Sequence, residues 1–445
     1  MRLVLLSCAV LAAATLLPAG HARAVDAPAC HAGAYRLLDG SVVEIGRVSE
    51  PAQLRWRRVD GSTGLLSPAD DAWRSTTGWT GRPDGKVVRF GDCAEARIDF
   101  DGQAGSKIAF DITETRFAGK GEQLRGRLVL PQGDGPVPIA VIVHGSEDYS
   151  GVDFYSAQHL FPAQGVGVFV YDKRGTGQST GKYTQDFHLL SDDAVAALAE
   201  ARRLAGPRAA RTGFLGGSQA GWIAPLAASK TGDAAFVVVG YGMADSPLAE
   251  DRDQVMLDLR RAGYGDDVLA KAREITDATG AVVASRREAD WERLETLRRR
   301  YAGEPWYPAI KGEFSGLLLQ HTREQIEATA AQHDKGTTWN YDTLPVLRAL
   351  RIPQLWILAG ADREAPPEET RRRLVALAEA GHPITTVVFP GTDHGIREFE
   401  TGDDDSRTYT RVADGYQRMQ ADWILTGSLP DAPYGRAQLL AQPRR

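Results

Sequence analysis

The sequence predicts an α/β fold in which a mostly parallel, doubly wound sheet carries a helical lid insertion and follows a small β-rich domain. Continuous apolar and β-branched runs at 139–143 and 166–171 are typical of strands buried on both faces of a parallel sheet. Roughly a hundred residues at helical spacing separate two later strands, which indicates an insertion. Before residue 108, short alternating segments lie between Asp-Gly turns, which favours antiparallel β structure.

The N-terminus has the pattern of a secretory signal peptide. Arg2 precedes an apolar run from Leu3 to Leu17, and Ala22-Arg23-Ala24 provides a cleavage site. We expect residues 1–24 to be removed after Ala24 and the mature protein to be periplasmic or secreted. An N-terminal membrane anchor is the competing interpretation, which the short apolar run disfavours, and no later apolar stretch is long enough to span a membrane.

Residues 25–107 are predicted to form the β-rich domain. Signal cleavage would leave Cys30 and Cys93, and an oxidising compartment favours one disulfide between them over two separate buried thiols. The chain-entropy model gives such a loop about 4 kcal/mol of stabilisation. The Cys and His residues do not cluster at ligand spacing, so no metal site is expected. Three tryptophans could line a ligand face or form the domain core, namely Trp56, Trp73 and Trp79.

The main domain is predicted to span residues 108–427, with the lid insertion at about 243–342. We expect residues 122–130 to form an antiparallel edge strand of its sheet. Residues 191–204 are rich in alanine and predict a helix capped by Ser-Asp-Asp at its start. The tail at 428–445 contains prolines and is expected to be loose.

Ser218 lies in a segment that indicates a strand, a sharp turn and a helix. Glycines before the serine permit a strained turn that lifts its hydroxyl above the sheet edge. Such a hydroxyl becomes a nucleophile only when geometry and a neighbouring base activate it. The second residue after the serine is Ala220, where this nucleophile-elbow motif usually has glycine. We expect the alanine to fit, with tighter packing against the preceding strand.

Two loops after buried strands are expected to support Ser218. The strand at 139–143 is followed by His-Gly-Ser, where backbone N–H groups can face a developing oxyanion. The expected donors are the N–H groups of Ser146 and Gln219, whereas His144 is expected to be structural. The Gly-rich segment 171–179 lacks a phosphate-binding motif and is predicted to be architectural.

An acid and a histidine follow predicted strands downstream of the serine. Asp362 and His394 complete the chain order Ser, Asp, His that a catalytic triad on this type of sheet requires. Glu364 is the alternative acid, but Asp362 is nearer the strand end. Asp393 is expected to be a turn residue and not the partner of the histidine.

These ordered segments resemble an α/β-hydrolase, and in particular secreted bacterial carboxylesterases, dienelactone-hydrolase-like enzymes and serine aminopeptidase-like hydrolases. The similarity extends from near Glu122 to near Leu425 and includes Trp339-Asn340-Tyr341-Asp342 before the acid-bearing strand. It implies a triad of Ser218, Asp362 and His394. Dehalogenases and epoxide hydrolases of this family place Asp where this chain has Ser218, so those activities are disfavoured.

Three functions are compatible with these residues. The first is a serine hydrolase that cleaves a carboxylic ester with a small or medium acyl group through an acyl-enzyme. A peptidase or amidase of the same fold is the alternative, and a non-catalytic binding protein on a hydrolase scaffold is the third. No cofactor is expected. The formal net charge of -6 provides no electrostatic footprint for nucleic acid, so the expected partner is a small ester or a short peptide. The oligomeric state, the physiological substrate and the acyl length stay open.

Overall fold

The computed structural model describes residues 29–443, apart from the side chains of 330–333. The predicted signal peptide and its cleavage site therefore lie outside the described residues. Within this range, none of the helices has both the length and the apolar character that crossing a membrane requires.

The N-terminal part is a closed barrel of eight antiparallel strands, which confirms the predicted β-rich domain. It closes because β1 pairs with both β2 and β8. Its core holds Trp56, whereas Trp79 is 37% exposed on the outside. A disulfide joins Cys30, just before the first strand, to Cys93. The strands are β1 (Gly33–Leu37), β2 (Val42–Arg47), β3 (Leu54–Arg58), β4 (Thr63–Ala69), β5 (Ala72–Thr76), β6 (Pro83–Phe90), β7 (Arg97–Phe100) and β8 (Gln103–Lys107).

A nine-stranded sheet forms the centre of the main domain, in the order β19-β16-β15-β14-β13-β11-β12-β10-β9. The six strands from β16 to β12 in this order pair in parallel, and the strands at both ends are antiparallel. The strands are β9 (Phe110–Ala118), β10 (Gln123–Pro131), β11 (Val137–Val143), β12 (Gly167–Tyr171), β13 (Ala209–Gly217), β14 (Val237–Gly240), β15 (Gln354–Ala359), β16 (Ile384–Phe389) and β19 (Gln438–Ala441).

Helices cover both faces of this sheet, so the predicted doubly wound architecture is confirmed. Alternate residues of β11 enter opposite cores: Ile139 and Val141 face one, and Ala140 and Ile142 face the other. The first face is covered by α3 (Phe187–Ala205), α4 (Ala220–Ser229), α10 (Leu344–Ala349) and α11 (Pro367–Glu379). The second is covered by α1 (Gly151–Phe154), α2 (Ala157–Leu160) and α12 (Tyr416–Thr426).

The chain between β14 and α10 forms the predicted helical insertion. Its helices pack around a hydrophobic core of their own, which includes Trp291 and Trp306. They are α5 (Pro247–Arg261), α6 (Asp266–Ala284), α7 (Trp291–Tyr301), α8 (Ser315–Gln320) and α9 (Arg323–His333).

A two-stranded hairpin, β17 (Arg397–Thr401) and β18 (Arg407–Val412), connects the main domain to the barrel. The backbone N–H of Trp79 donates to the carbonyl oxygen of Tyr409 at 2.9 Å, and the N–H of Val412 donates to that of Gly61 at 3.0 Å. The barrel is therefore hydrogen-bonded to the segment that directly follows His394.

Two predictions for the ends of the sheet were wrong, one for an edge strand and one for the C-terminal tail. The segment predicted as the edge strand forms β10, which is antiparallel but lies between β12 and β9. The true edge, β9, is largely exposed and polar, so it lacks the apolar pattern of a buried strand. The tail predicted to be loose contains β19, which pairs with β16 through backbone hydrogen bonds that side-chain polarity does not reveal.

The predicted start of the helix at Ser191 was also wrong. Helix α3 begins one turn earlier, because the Asp186 carboxylate accepts hydrogen bonds from the N–H groups of His188 and Leu189. Asp193, a predicted cap residue, lies inside the helix. Both of its carboxylate oxygens accept hydrogen bonds from the Arg174 guanidinium, at 2.7 and 2.8 Å.

Candidate active site

Ser218 occupies a strained turn between β13, which ends at Gly217, and α4, which begins at Ala220. Its φ of 55° lies in the left-handed region that residues other than glycine rarely adopt. Its N–H donates to the Gly240 carbonyl oxygen at 3.0 Å, and its carbonyl oxygen accepts from the N–H of Gly221 at 2.8 Å. These backbone bonds hold the serine in the turn, and its side chain faces a cavity of about 480 Å³.

The turn accommodates Ala220 because the strand before it ends in glycines. A Cβ at Gly216 would collide with the Cβ of Ala220 and with the Val143 carbonyl oxygen. Ala220 itself is fully buried. The alanine thus packs directly against the strand, as expected, and a glycine at position 216 makes this packing possible.

Asp362 and His394 follow the carboxyl ends of β15 and β16 and form a hydrogen-bonded pair. The distance from His394 Nδ1 to Asp362 Oδ2 is 2.9 Å. The other oxygen, Oδ1, accepts the backbone N–H groups of Glu364 and Ala365, both at 2.9 Å. Because Asp362 is buried, these donors fix the rotation of its carboxylate and hence that of the imidazole.

The environment of His394 raises its pKa above the ordinary value of 6.5. Burial alone would lower this pKa, but the hydrogen bond and charge of Asp362 outweigh burial, and the charge of Glu364 adds to them. Glu364 is 57% exposed, and its Oε1 lies 3.5 Å from His394 Nε2. The alternative acid therefore faces the other nitrogen of the ring.

Ser218 and His394 line the same cavity, although no hydrogen bond between their side chains occurs in the described structure. Contacts of this kind often tighten only once substrate is bound. The structure thus brings the three predicted residues to one edge of the sheet and pairs two of them directly.

Of the two expected oxyanion donors, Ser146 lies in the loop after β11, and Gln219 directly follows Ser218 in the chain. Ser146 lines the cavity, and Gln219 is the buried N-cap residue of α4. Among residues 29–443, neither backbone N–H donates to a protein acceptor. His144 is buried, and its Nε2 donates to the Tyr171 carbonyl oxygen at 2.6 Å. Burial, aided by the charge of Lys173, lowers the pKa of His144 to about 3, which keeps it neutral in a structural position.

The Gly-rich segment after β12 supports these loops, as predicted for an architectural element. Buried Asp172 accepts hydrogen bonds from the Ser150 hydroxyl at 2.6 Å and from the Gln178 N–H at 2.9 Å. Lys173 Nζ donates to the Gly145 carbonyl oxygen at 2.8 Å. The segment thus anchors the loop that carries Ser146.

Asp393 stabilises the histidine loop, which agrees with its expected position in a turn. Its carboxylate accepts the N–H groups of His394 at 2.9 Å and Arg363 at 3.1 Å. It also forms an ion pair with Arg407 at 2.8 Å. Asp393 therefore fixes the backbone of the loop, while Asp362 orients the imidazole.

Sequence reasoning missed several residues of the cavity wall, including Tyr241, Glu147 and Arg397. The Tyr241 ring lies edge-on to the His394 ring, with centroids 4.9 Å apart, and Tyr241 has a φ of 41°. A signal was available for Tyr241, because it directly follows β14 at the edge where the parallel strands end. For Arg397 and Glu147, the only hint was their closeness in sequence to His394 and Ser146.

One group in the barrel has the composition of a metal site. Candidate ligand atoms of Cys30, His31 and Cys93 lie within 4.8 Å of one another. The disulfide between the two cysteines removes both thiolates as ligands, so this group cannot bind a metal in the form described.

A family model described as "Alpha/beta hydrolase family" matches residues 140–405, which is more than half of the chain. Among solved structures, an acylaminoacyl peptidase of Pyrococcus horikoshii is similar at 13% identity and a TM-score of 0.41, covering 79% of this chain and 52% of that one. An esterase of Pyrococcus furiosus is similar at 13% identity and a TM-score of 0.40, covering 64% and 84%. A puromycin-hydrolyzing peptidase of Mycobacterium tuberculosis is similar at 17% identity and a TM-score of 0.40, covering 79% and 50%.

This chain spans about half the length of the two peptidases. No curated protein matches the sequence.

Proposed function

Because the chain belongs to the alpha/beta hydrolase family, we propose that it is a serine hydrolase that cleaves a carboxylic ester through Ser218, His394 and Asp362. One observation carries the proposal: a strained serine turn opens on the cavity that also holds the paired histidine. Strained backbone at a nucleophile is maintained only where the surrounding structure enforces it.

In the acylation step, His394 Nε2 accepts the proton of the Ser218 hydroxyl as the oxygen attacks the ester carbonyl. Asp362 keeps the other proton on Nδ1 and stabilises the imidazolium that forms. The N–H groups of Ser146 and Gln219 donate to the oxyanion, a contribution worth about a hundred- to a thousandfold per donor in related chemistry.

The tetrahedral intermediate collapses when His394 gives its proton to the leaving alkoxide. The same imidazole then removes a proton from water as the water oxygen attacks the acyl-enzyme. It returns this proton to the Ser218 oxygen when the second tetrahedral intermediate collapses to the acid and the free serine. The cavity of about 480 Å³ has the size of small-molecule sites and suits a small or medium acyl group.

The first experiment compares purified mature protein with Ser218→Ala on p-nitrophenyl esters of graded acyl length and on aminoacyl-p-nitroanilides. We expect Ser218-dependent release from short esters and little from anilides. Dominant anilide cleavage would make the protein a peptidase or amidase. If Ser218→Ala retained full turnover, or if the protein resisted both substrates and a serine-reactive phosphonate, the proposed mechanism would be wrong.

We further infer that the protein is exported. The Cys30–Cys93 disulfide supports this inference, because such bonds persist in oxidising compartments. Expression of the full chain in bacteria with N-terminal sequencing of the periplasmic fraction is expected to find Val25 as the first residue. An uncleaved, cytosolic protein would contradict export.

A further inference from the structure

Arg397 brings an unpaired positive charge to the catalytic cavity. It is the third residue after His394, and it lines the same cavity as His394 and Ser218. In the described part of the chain, its guanidinium makes no ion pair and donates no hydrogen bond, whereas neighbouring Arg407 pairs with Asp393 at 2.8 Å. Its N–H donors are therefore available to a ligand in the cavity.

Two aromatic rings hold this guanidinium in place. The Arg397 Cζ atom lies 4.9 Å from the ring centroid of Trp79 and 5.2 Å from that of Tyr409. The two rings are nearly perpendicular, at 87°, with centroids 6.4 Å apart. Contact with a ring face attracts the cation without using its N–H donors. The side chain is thus positioned while its hydrogen-bonding capacity stays free.

The barrel supplies part of this support and a second positive charge. Trp79 belongs to the barrel and also contacts Arg55, whose Cζ lies 4.6 Å from the indole centroid. Arg55 is only 6% exposed and donates to the Gly78 carbonyl oxygen at 2.8 Å. Burial, with the nearby charges of Arg57 and Arg397, lowers the pKa of Arg55 to about 10. Two guanidinium groups thus contact one indole. Their combined positive charge favours an anion beside Arg397.

The carboxylates of the cavity interact with other groups of the protein. Glu147 accepts a hydrogen bond from the Tyr155 hydroxyl. Burial raises the pKa of Glu147, and the charge of Lys173 opposes that rise. Glu364 faces His394 Nε2 at 3.5 Å. Arg397 is the cavity cation left without such a partner in the described structure, so the charge it can recognise is negative.

We propose that Arg397 determines specificity by binding a carboxylate of the substrate, with Trp79 and Tyr409 as the residues that position it. The substrate class is an ester that also carries a free, anionic carboxylate close to the scissile bond. The inference rests on the proposed function, and it gives the barrel a part in substrate recognition.

The test compares esters that differ by one carboxylate. On the acyl side, mono-p-nitrophenyl glutarate is paired with p-nitrophenyl valerate; on the leaving-group side, 4-carboxyphenyl butyrate is paired with phenyl butyrate. Hydrogen bonds to charged groups predict a preference of about ten- to a hundredfold in kcat/KM for the anionic ester of at least one pair, expressed mainly in KM. A cationic ester, p-nitrophenyl 4-(trimethylammonio)butyrate, serves as the opposite probe.

Variants of the arginine and its support identify the source of the preference. Arg397→Gln is expected to reduce the ratio of anionic to neutral kcat/KM to about one, and Arg397→Lys to restore part of it because the charge remains. Trp79→Leu is expected to lower the ratio through a higher KM for the anionic ester. Arg89→Gln removes an exposed barrel arginine outside the cavity and is expected to leave the ratio unchanged.

A binding measurement separates this inference from the proposed function. Isothermal titration of the Ser218→Ala protein with monomethyl glutarate is expected to show binding. Adding Arg397→Gln is expected to weaken this binding at least tenfold, because a bidentate contact between charged groups is lost. Such binding without turnover in the unmodified protein would overturn the hydrolase proposal only. Turnover with no anionic preference, or with a preference for the cationic ester, would overturn the role of Arg397 only.

Discussion

Replacing Asp362 with asparagine tests the geometry of the histidine most directly. Oδ1 of Asp362 accepts the N–H groups of Glu364 and Ala365, so an asparagine must keep its amide oxygen at that position. The amide NH₂ then occupies the place of Oδ2, 2.9 Å from His394 Nδ1. An NH₂ group cannot accept a proton, so Nδ1 becomes the acceptor and the ring proton moves to Nε2. In that tautomer the imidazole cannot take the proton of Ser218.

The magnitude follows from the loss of the correct tautomer. In the serine-protease template this substitution lowers kcat by about 10⁴, which corresponds to about 5.4 kcal/mol at 1.36 kcal/mol per tenfold change in rate. We expect a loss of this order for Asp362→Asn, with little change in thermal unfolding because the backbone hydrogen bonds to the side chain remain. The assay is steady-state hydrolysis of p-nitrophenyl butyrate over a range of pH.

The neighbouring acid provides the matched control. Glu364→Gln removes a carboxylate from the same loop but leaves the contact at Nδ1 intact, so we expect its activity near neutral pH to stay within tenfold of the unmodified protein. If Asp362→Asn kept activity within tenfold while Glu364→Gln lost a thousandfold or more, Glu364 would be the catalytic acid and Asp362 would have no such role.

Three further predictions concern pH, the disulfide and the serine turn. The charge of Glu364 helps to raise the pKa of His394, so Glu364→Gln lowers this pKa and moves the acid limb of the kcat/KM profile to lower pH; an unmoved limb would contradict this. Replacing both Cys30 and Cys93 with serine removes a cross-link between residues 63 positions apart, and we expect the barrel to lose about 4 kcal/mol in denaturant unfolding followed by tryptophan fluorescence. Gly216→Ala forces a Cβ against buried backbone, so we expect a loss of about 1–3 kcal/mol in thermal unfolding; an unchanged midpoint would show that the strand can move.

The parallel sheet was predictable because its strands are buried on both faces and therefore appear as continuous apolar runs. The same rule explains the failures at its ends. Strand β9 is largely exposed and polar, and β19 is a short strand in a polar tail, so neither has a run of that kind. The start of α3 was misplaced because several polar residues could cap a helix. Only the hydrogen bonds from backbone N–H groups to the Asp186 side chain identify Asp186 as the cap.

The placement of three residues at one edge of the sheet was predictable, namely Ser218, Asp362 and His394. Each follows a strand of one parallel sheet, and the carboxyl ends of such strands meet at one edge. Local sequence therefore indicated that the three residues meet. It also indicated the cysteine pair, because two cysteines in a domain that is expected to be exported favour one bond.

Only the tertiary structure decided what surrounds these residues. Trp79 and Arg397 are more than three hundred positions apart in the sequence, and their contact exists because the barrel packs on the hairpin after His394. Sequence left Asp362 and Glu364 as alternative acids, and the fold places Asp362 against Nδ1 of the histidine and Glu364 against Nε2. Sequence patterns report burial and local turns, whereas the direction of a side chain depends on packing between segments that are distant in the chain.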